Sequence, residues 1–182
     1  MRRVVCLCMV LLLAGCGGAA LSHDGGRATL PGPLPSGVRF AAATSKAQAP
    51  PFSLKLLDGT PVQAAKLWGD RPVVVFFFAS WCSRCAAQQD RLAPLVKRYR
   101  DVVTFVGVGA QDKAPAVKSW LDAHDVTYPV AIDGGQDMWR RYAVRQPPAV
   151  VLIAPGGKLE RGWTGGVTTD VLDTELKRLV QR

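Results

Sequence analysis

The chain is predicted to be an α/β protein, with a central mixed β-sheet flanked by helices and preceded by a short strand pair. Three observations predict it. Residues 73–79 and 102–108 are continuous apolar runs rather than alternating ones, as in strands buried on both faces. Each run is followed by a stretch with apolar residues at helical spacing. Near the C-terminus, residues 149–153 and 159–163 flank Pro155-Gly156-Gly157, which makes a hairpin. This alternation of strand and helix is the order expected of a sheet covered on both faces.

The elements follow in order. Residues 52–57 and 60–62 read as the strand pair around the Asp58-Gly59 turn. Residues 73–79 hold three Val and three Phe and form the central strand. A helix then runs to about Arg100, with Leu92, Leu95, Val96 and Tyr99 as its apolar stripe and Pro94 expected to kink it. After the strand at 102–108, residues 114–124 read as a helix with Val117, Trp120 and Leu121 inward. Residues 130–132 form a short strand and 137–142 a short helix. Gln146-Pro147-Pro148 is a hard break. Residues 149–153 and 159–163 are the hairpin strands, and a helix over 169–180 turns Leu172, Leu176, Leu179 and Val180 inward. No internal repeat is present.

Length and composition bound the rest. The 182 residues, 48% apolar and 20% charged, allow one globular domain and a tail. No apolar run reaches ~18 residues, which excludes a polytopic membrane protein. The net charge is +9, but residues 52–182 hold 18 Lys and Arg against 13 Asp and Glu, hence +5. No basic block is long enough to argue for nucleic acid, so none is expected as a partner. Arg2 and Arg3 precede an apolar run of ten over residues 4–13, ending in Leu13-Ala14-Gly15-Cys16. That tetrapeptide resembles the lipobox of bacterial lipoproteins. The resemblance implies a signal peptide over 1–15, an acylated Cys16, and an extracytoplasmic protein held at the cell membrane. The alternative is an ordinary cleaved signal with a chance cysteine. Residues 17–51 contain six Gly, eight Ala and five Pro without a period, so 16–51 is expected to be a lipidated cysteine and flexible tether, about 30–35 Å end to end. His23 lies in that tether. The domain is then 52–182.

Export leaves Cys82 and Cys85 as a Cys-x-x-Cys pair in an oxidising compartment. They stand where a buried strand ends and a helix begins. Helix N-terminal N–H groups stabilise an anion there, so a thiol ionises below its free pKa of ~8.5. Cys82 is the expected exposed nucleophile. Cys85, one turn in, is shielded and positioned to resolve a mixed disulfide formed at Cys82. Other readings stay open. Zinc would need four ligands, and the exported domain offers Cys82, Cys85 and His124. A structural bridge closing so short a loop adds little stability. A thiol peroxidase would want Pro and Thr or Ser just before the cysteine, which Ala79-Ser80-Trp81 does not supply.

The segment Phe77-Phe78-Ala79-Ser80-Trp81-Cys82-Ser83-Arg84-Cys85 resembles the TlpA/ResA/DsbE-type branch of the thioredoxin-like family, extracytoplasmic thiol–disulfide oxidoreductases. Tyr128-Pro129-Val130 and residues 142–149 extend the resemblance, which lies nearest the exported actinobacterial members. It implies a thioredoxin-like fold and a cis-proline opposite the disulfide, here Pro148, preceded by Pro147. Three positions depart from the family pattern. Phe76 stands where a buried acid or Asn is usual. Gln88 stands where many members have Glu, and Asp90 where a helix proline is usual. The carboxylates that would shuttle the Cys85 proton are therefore missing, unless Asp90 substitutes. Trp81 and Trp163 are expected to be packing residues, with Trp81 also shielding the disulfide.

The expected activity is disulfide exchange with exported protein substrates through Cys82 and Cys85, with Pro148 shaping the groove and Trp81, Arg84 and Pro147 in support. Arg84 between the cysteines favours the Cys82 thiolate, which tips the expectation slightly towards an oxidant. No cofactor beyond the disulfide and no metal is expected. The expected partners are client thiols or disulfides, a membrane redox partner for recycling, and the bilayer through Cys16; a monomer is expected. The alternative from another class is a binding module for apocytochrome or unfolded exported chains.

Overall fold

The computed structural model of the protein describes residues 24–181. The expectations for the signal peptide, Cys16 and His23 lie outside the described residues. A short strand pair, β1 (Arg39–Phe40) aside, begins the expected order: β2 (Ser53–Lys55), β3 (Pro61–Gln63) and a one-turn helix α1 (Ala64–Leu67). Then come β4 (Val73–Phe78), α2 (Ser83–Tyr99), β5 (Thr104–Gly109), α3 (Ala114–Ala123), β6 (Val130–Ile132) and α4 (Asp137–Arg141). The chain closes with β7 (Ala149–Ala154), β8 (Lys158–Thr164), α5 (Thr169–Leu179) and β9 (Val180–Gln181).

Five strands form the central sheet in the order β6-β5-β4-β7-β8. β4 runs parallel to β5 and antiparallel to β7, so the sheet is mixed, as expected. The all-apolar β4 serves two cores because successive side chains point to opposite faces. Val74, Phe76 and Phe78 enter one core, with Leu92 and Leu95 of α2, Trp120 of α3 and Leu176 of α5. Val73, Val75 and Phe77 enter the other, with Phe52, Trp68 and Trp139. Phe78 stacks on Phe76 at 5.5 Å and on Trp120 at 4.7 Å, contacts worth ~0.5–1.5 kcal/mol each beyond area burial. No helix among the described residues is long and apolar enough to cross a membrane.

α2 carries the cysteines and is tied to α5 by a polar cluster. Asp173 accepts from Tyr99 Oη at 2.7 Å and Arg98 Nη1 at 2.8 Å, and pairs with Lys177 at 2.7 Å. Burial pushes the Asp173 carboxyl up, but these donors outweigh it and bring it down to about 2. α2 runs on through the exposed Pro94, so the proline does not end it. The strand expected at 102–108 begins two residues later. The amides of Val102 and Val103 both donate to the Tyr99 carbonyl and complete the turn that ends α2.

The flexible tether is corrected for residues 24–51, which lie against the domain. The Gly25 carbonyl accepts from Val130 N at 2.8 Å, and Arg27 N donates to the Asp58 carboxylate at 2.7 Å. β1 pairs antiparallel with β9, and Ala41 N donates to the Leu179 carbonyl at 2.9 Å. Ala49 is buried, its amide bonded to the Gly157 carbonyl, while Leu159 N donates to the Ala47 carbonyl, both at 2.9 Å. The segment docks through its backbone on two edges, which needs no side-chain period.

Amide hydrogen exchange should therefore show Ala41, Ala49 and Leu159 protected at least about tenfold over an unstructured peptide. Unprotected amides at Ala41 and Ala49 would restore the free tether.

Candidate active site

The site is built at the C-terminal end of β4. After Phe78 the chain turns through Ala79, Ser80 and Trp81, and Cys82 becomes the N-cap of α2. The Cys82 sulfur accepts from the Cys85 amide at 3.2 Å, which satisfies one of the orphan donors of the first helical turn. Cys82 and Cys85 form a disulfide with Cα atoms 5.2 Å apart. Cys82 is 8% exposed and Cys85 0%, so an incoming sulfur reaches Cys82. Both cysteines are buried, which corrects the expectation of an exposed Cys82; the order is as expected, with Cys85 the deeper of the two.

Neighbouring strands bring in the rest. β5 is parallel to β4, with Phe78 beside Gly109, so the loops after both strands meet. There Asp112 accepts from Ser80 N at 2.5 Å and Ser80 Oγ at 2.7 Å, pinning the turn that leads to Cys82. Trp81 Nε1 donates to the Gln111 carbonyl at 3.1 Å. Trp81 is 61% exposed, which corrects the expectation that it packs; only the edge of its ring system is anchored. Trp163, in contrast, is half-buried against the core shared with Phe76. Asp112 and Gln111 were not legible as site residues. The available signal was their place just beyond a parallel strand adjacent to β4.

β7 is antiparallel to β4, with Ala149 beside Phe77, which sets the preceding loop against the cysteines. The Pro147–Pro148 peptide is cis, as expected. Pro148 is buried, and its carbonyl accepts from Gly165 N at 2.9 Å. A cavity of about 520 Å³ is lined by Trp81, Cys82, Arg84 and Pro147, together with Arg145 and Gln146. Four of the expected site residues thus share one opening. Arg84 is exposed and reaches the Gly165 carbonyl with Nη2 at 3.4 Å.

The residues beneath the disulfide are neutral. Phe76 fills the position of the family's buried acid and lies in the same core cluster as Cys85. Gln88 is buried and clamps Val167: Nε2 donates to its carbonyl at 3.1 Å, and Oε1 accepts from its amide at 2.7 Å. Only an amide side chain does both at once without a proton change. Gly166, at φ +98°, lies directly under this clamp, where a β-carbon would collide with the Gln88 amide. Asp90 is exposed and lines a groove with Lys97, Arg100 and His124 that contains neither cysteine. Among the described residues no group of three or more His, Cys, Asp or Glu could hold a metal.

The AhpC/TSA family model matches residues 46–161. The chain is 28% identical over 133 residues to the thiol-disulfide oxidoreductase ResA of Bacillus thuringiensis subsp. konkukian, covering 72% of this chain and 76% of that one. It is 30% identical over 130 residues to ResA of Oceanobacillus iheyensis, covering 69% and 67%. A secreted Mycobacterium tuberculosis disulfide oxidoreductase homologous to E. coli DsbE superposes with a TM-score of 0.60 at 26% identity, over 69% of this chain and 93% of that one.

Gln88→Ala strands the Val167 amide and carbonyl and should lower stability by about 1–3 kcal/mol in denaturant unfolding. Asp90→Asn should leave stability within ~0.5 kcal/mol and the rate of disulfide exchange unchanged. A tenfold slower exchange in Asp90→Asn would return the proton-transfer role to that carboxylate.

Proposed function

Since the chain belongs to the AhpC/TSA family and is a thioredoxin-like thiol–disulfide oxidoreductase, we propose that it exchanges disulfides with exported protein substrates from a lipid anchor at Cys16 on the extracytoplasmic face of the membrane. The observation that carries the exchange reading is the unequal pair: a capped, reachable Cys82 sulfur over a fully buried Cys85. Export is supported by the leader residues 1–16 and by the likeness to a secreted oxidoreductase.

The chemistry balances as two exchanges. A client thiolate attacks Cys82 Sγ, forming a client–Cys82 bond as the Cys82–Cys85 bond breaks, and Cys85 leaves as a thiolate that takes up a proton. A second client thiolate attacks the client sulfur of the mixed disulfide. Cys82 then leaves as a thiolate, and the client disulfide is complete. The client loses two electrons and the cysteine pair gains them; the reverse sequence reduces a client. The N-terminus of α2 and the Cys85 N–H stabilise the departing Cys82 thiolate. An oxidant is a protein whose reduced form is stabilised, so we read the direction as oxidising, with a membrane partner removing the electrons.

Cys85→Ala protein produced in its host should accumulate a client disulfide-linked to Cys82 in the membrane fraction, and Cys82→Ser should accumulate none. Adding Cys16→Ser should move the linked species to the soluble fraction or leave an uncut precursor. Client maturation at the wild-type rate with Cys82→Ser would favour a binding module in which redox chemistry is incidental.

A further inference from the structure

The open side of the site is electropositive, and Pro147 on it has no backbone N–H. The cavity beside Cys82 shares four lining residues, Arg84, Arg145, Gln146 and Pro147, with a second cavity of about 600 Å³. No Asp or Glu lines either one. Arg84 and Arg145 are exposed, and among the described residues no carboxylate pairs with them. The one hydrogen bond of Arg84, to the Gly165 carbonyl at 3.4 Å, is long and leaves the rest of its guanidinium fork unused. Asp112, beyond the Gln111 that lines the smaller cavity, is already engaged by Ser80 and the Lys113 amide.

An extended client laid along this loop would pair with backbone N–H and C=O groups. Pro147 offers only the carbonyl. Where Pro147 lacks its N–H, two guanidinium side chains supply donors. Guanidinium forks match a carboxylate in geometry as well as charge. On the reading that Cys82 exchanges with client cysteines, we infer that Arg84 and Arg145 make the groove selective for an acidic segment, one with Asp or Glu within a residue or two of the reacting cysteine. Recognition moves from the client's backbone to its side chains.

The test uses reduced Cys85→Ala protein and short peptides whose single cysteine is a mixed disulfide with 2-thiopyridine, flanked by Asp, Gln or Lys. The Cys82 thiolate attacks the peptide sulfur, the Cys82–peptide bond forms, the peptide–pyridine S–S bond breaks, and thiopyridone leaves with a proton from solvent. Its release is followed by absorbance. The Asp peptide should react roughly five-fold faster than the Lys peptide at low ionic strength, two exposed ion pairs' worth. Salt should bring the ratio towards one. Arg84→Gln with Arg145→Gln should bring it to about one without salt. Lys55→Gln with Lys118→Gln removes the same charge from exposed positions outside the groove lining and should leave it at about five. Equal rates for the Asp and Lys peptides would overturn the inference while leaving the exchange reading intact. So would an equal fall in the Lys55/Lys118 variant, because overall charge would then be the cause. No reaction with any peptide would overturn both.

Discussion

Everything in the site depends on where β4 stops. A strand buried on both faces cannot carry its apolar run into solvent, so it ends at the C-terminal end of the sheet, and the chain turns through Ala79, Ser80 and Trp81 into α2. The residue that caps that helix is Cys82, whose sulfur takes the Cys85 amide at 3.2 Å. The same hydrogen bond fixes the two thiols' different fates. One sulfur lies at the N-terminal end of a helix, against the Cys85 N–H and the positive end of the dipole. The other lies one turn inside, in the apolar core that also holds Phe76, Val150 and Leu92. Polar stabilisation falls on Cys82 and desolvation on Cys85.

The surroundings sharpen that division by being neutral below and cationic above. Phe76 removes a buried charge from beneath the pair, and Gln88 spends both ends of its amide on Val167. Among the described residues, the core cluster that holds the two cysteines contains no carboxylate to compete with the helix terminus for control of the sulfurs. Above it, Arg84 and Arg145 line the opening through which a client enters. The Asp112 carboxylate acts at a distance from the sulfurs, by holding Ser80 and therefore the angle at which Cys82 meets the helix.

The sequence made the centre of this arrangement readable and its edges unreadable, for physical reasons. A run of Val and Phe admits one environment, and Cys-x-x-Cys at its end admits few chemistries. Two adjacent prolines mark the Pro147–Pro148 break, and the family resemblance sets it opposite the disulfide. Residues 24–51 were misread because they dock through backbone hydrogen bonds at strand edges, which leave no trace in side-chain periodicity. Asp112 was missed because its contact with Ser80 spans 32 positions and exists only once β4 and β5 are side by side. Trp81 was assigned to packing on its apolar ring. Its Nε1 bond to Gln111 instead holds it at the rim, mostly exposed.

On the proposed reading, the helix terminus stabilises the Cys82 thiolate enough to favour the reduced pair. Equilibrating the protein with glutathione redox buffers, and reading the fraction of Cys82–Cys85 disulfide by alkylation, tests it most directly. A midpoint above thioredoxin's ~−270 mV is the predicted result. A midpoint at or below that value would contradict it and make this chain a reductant.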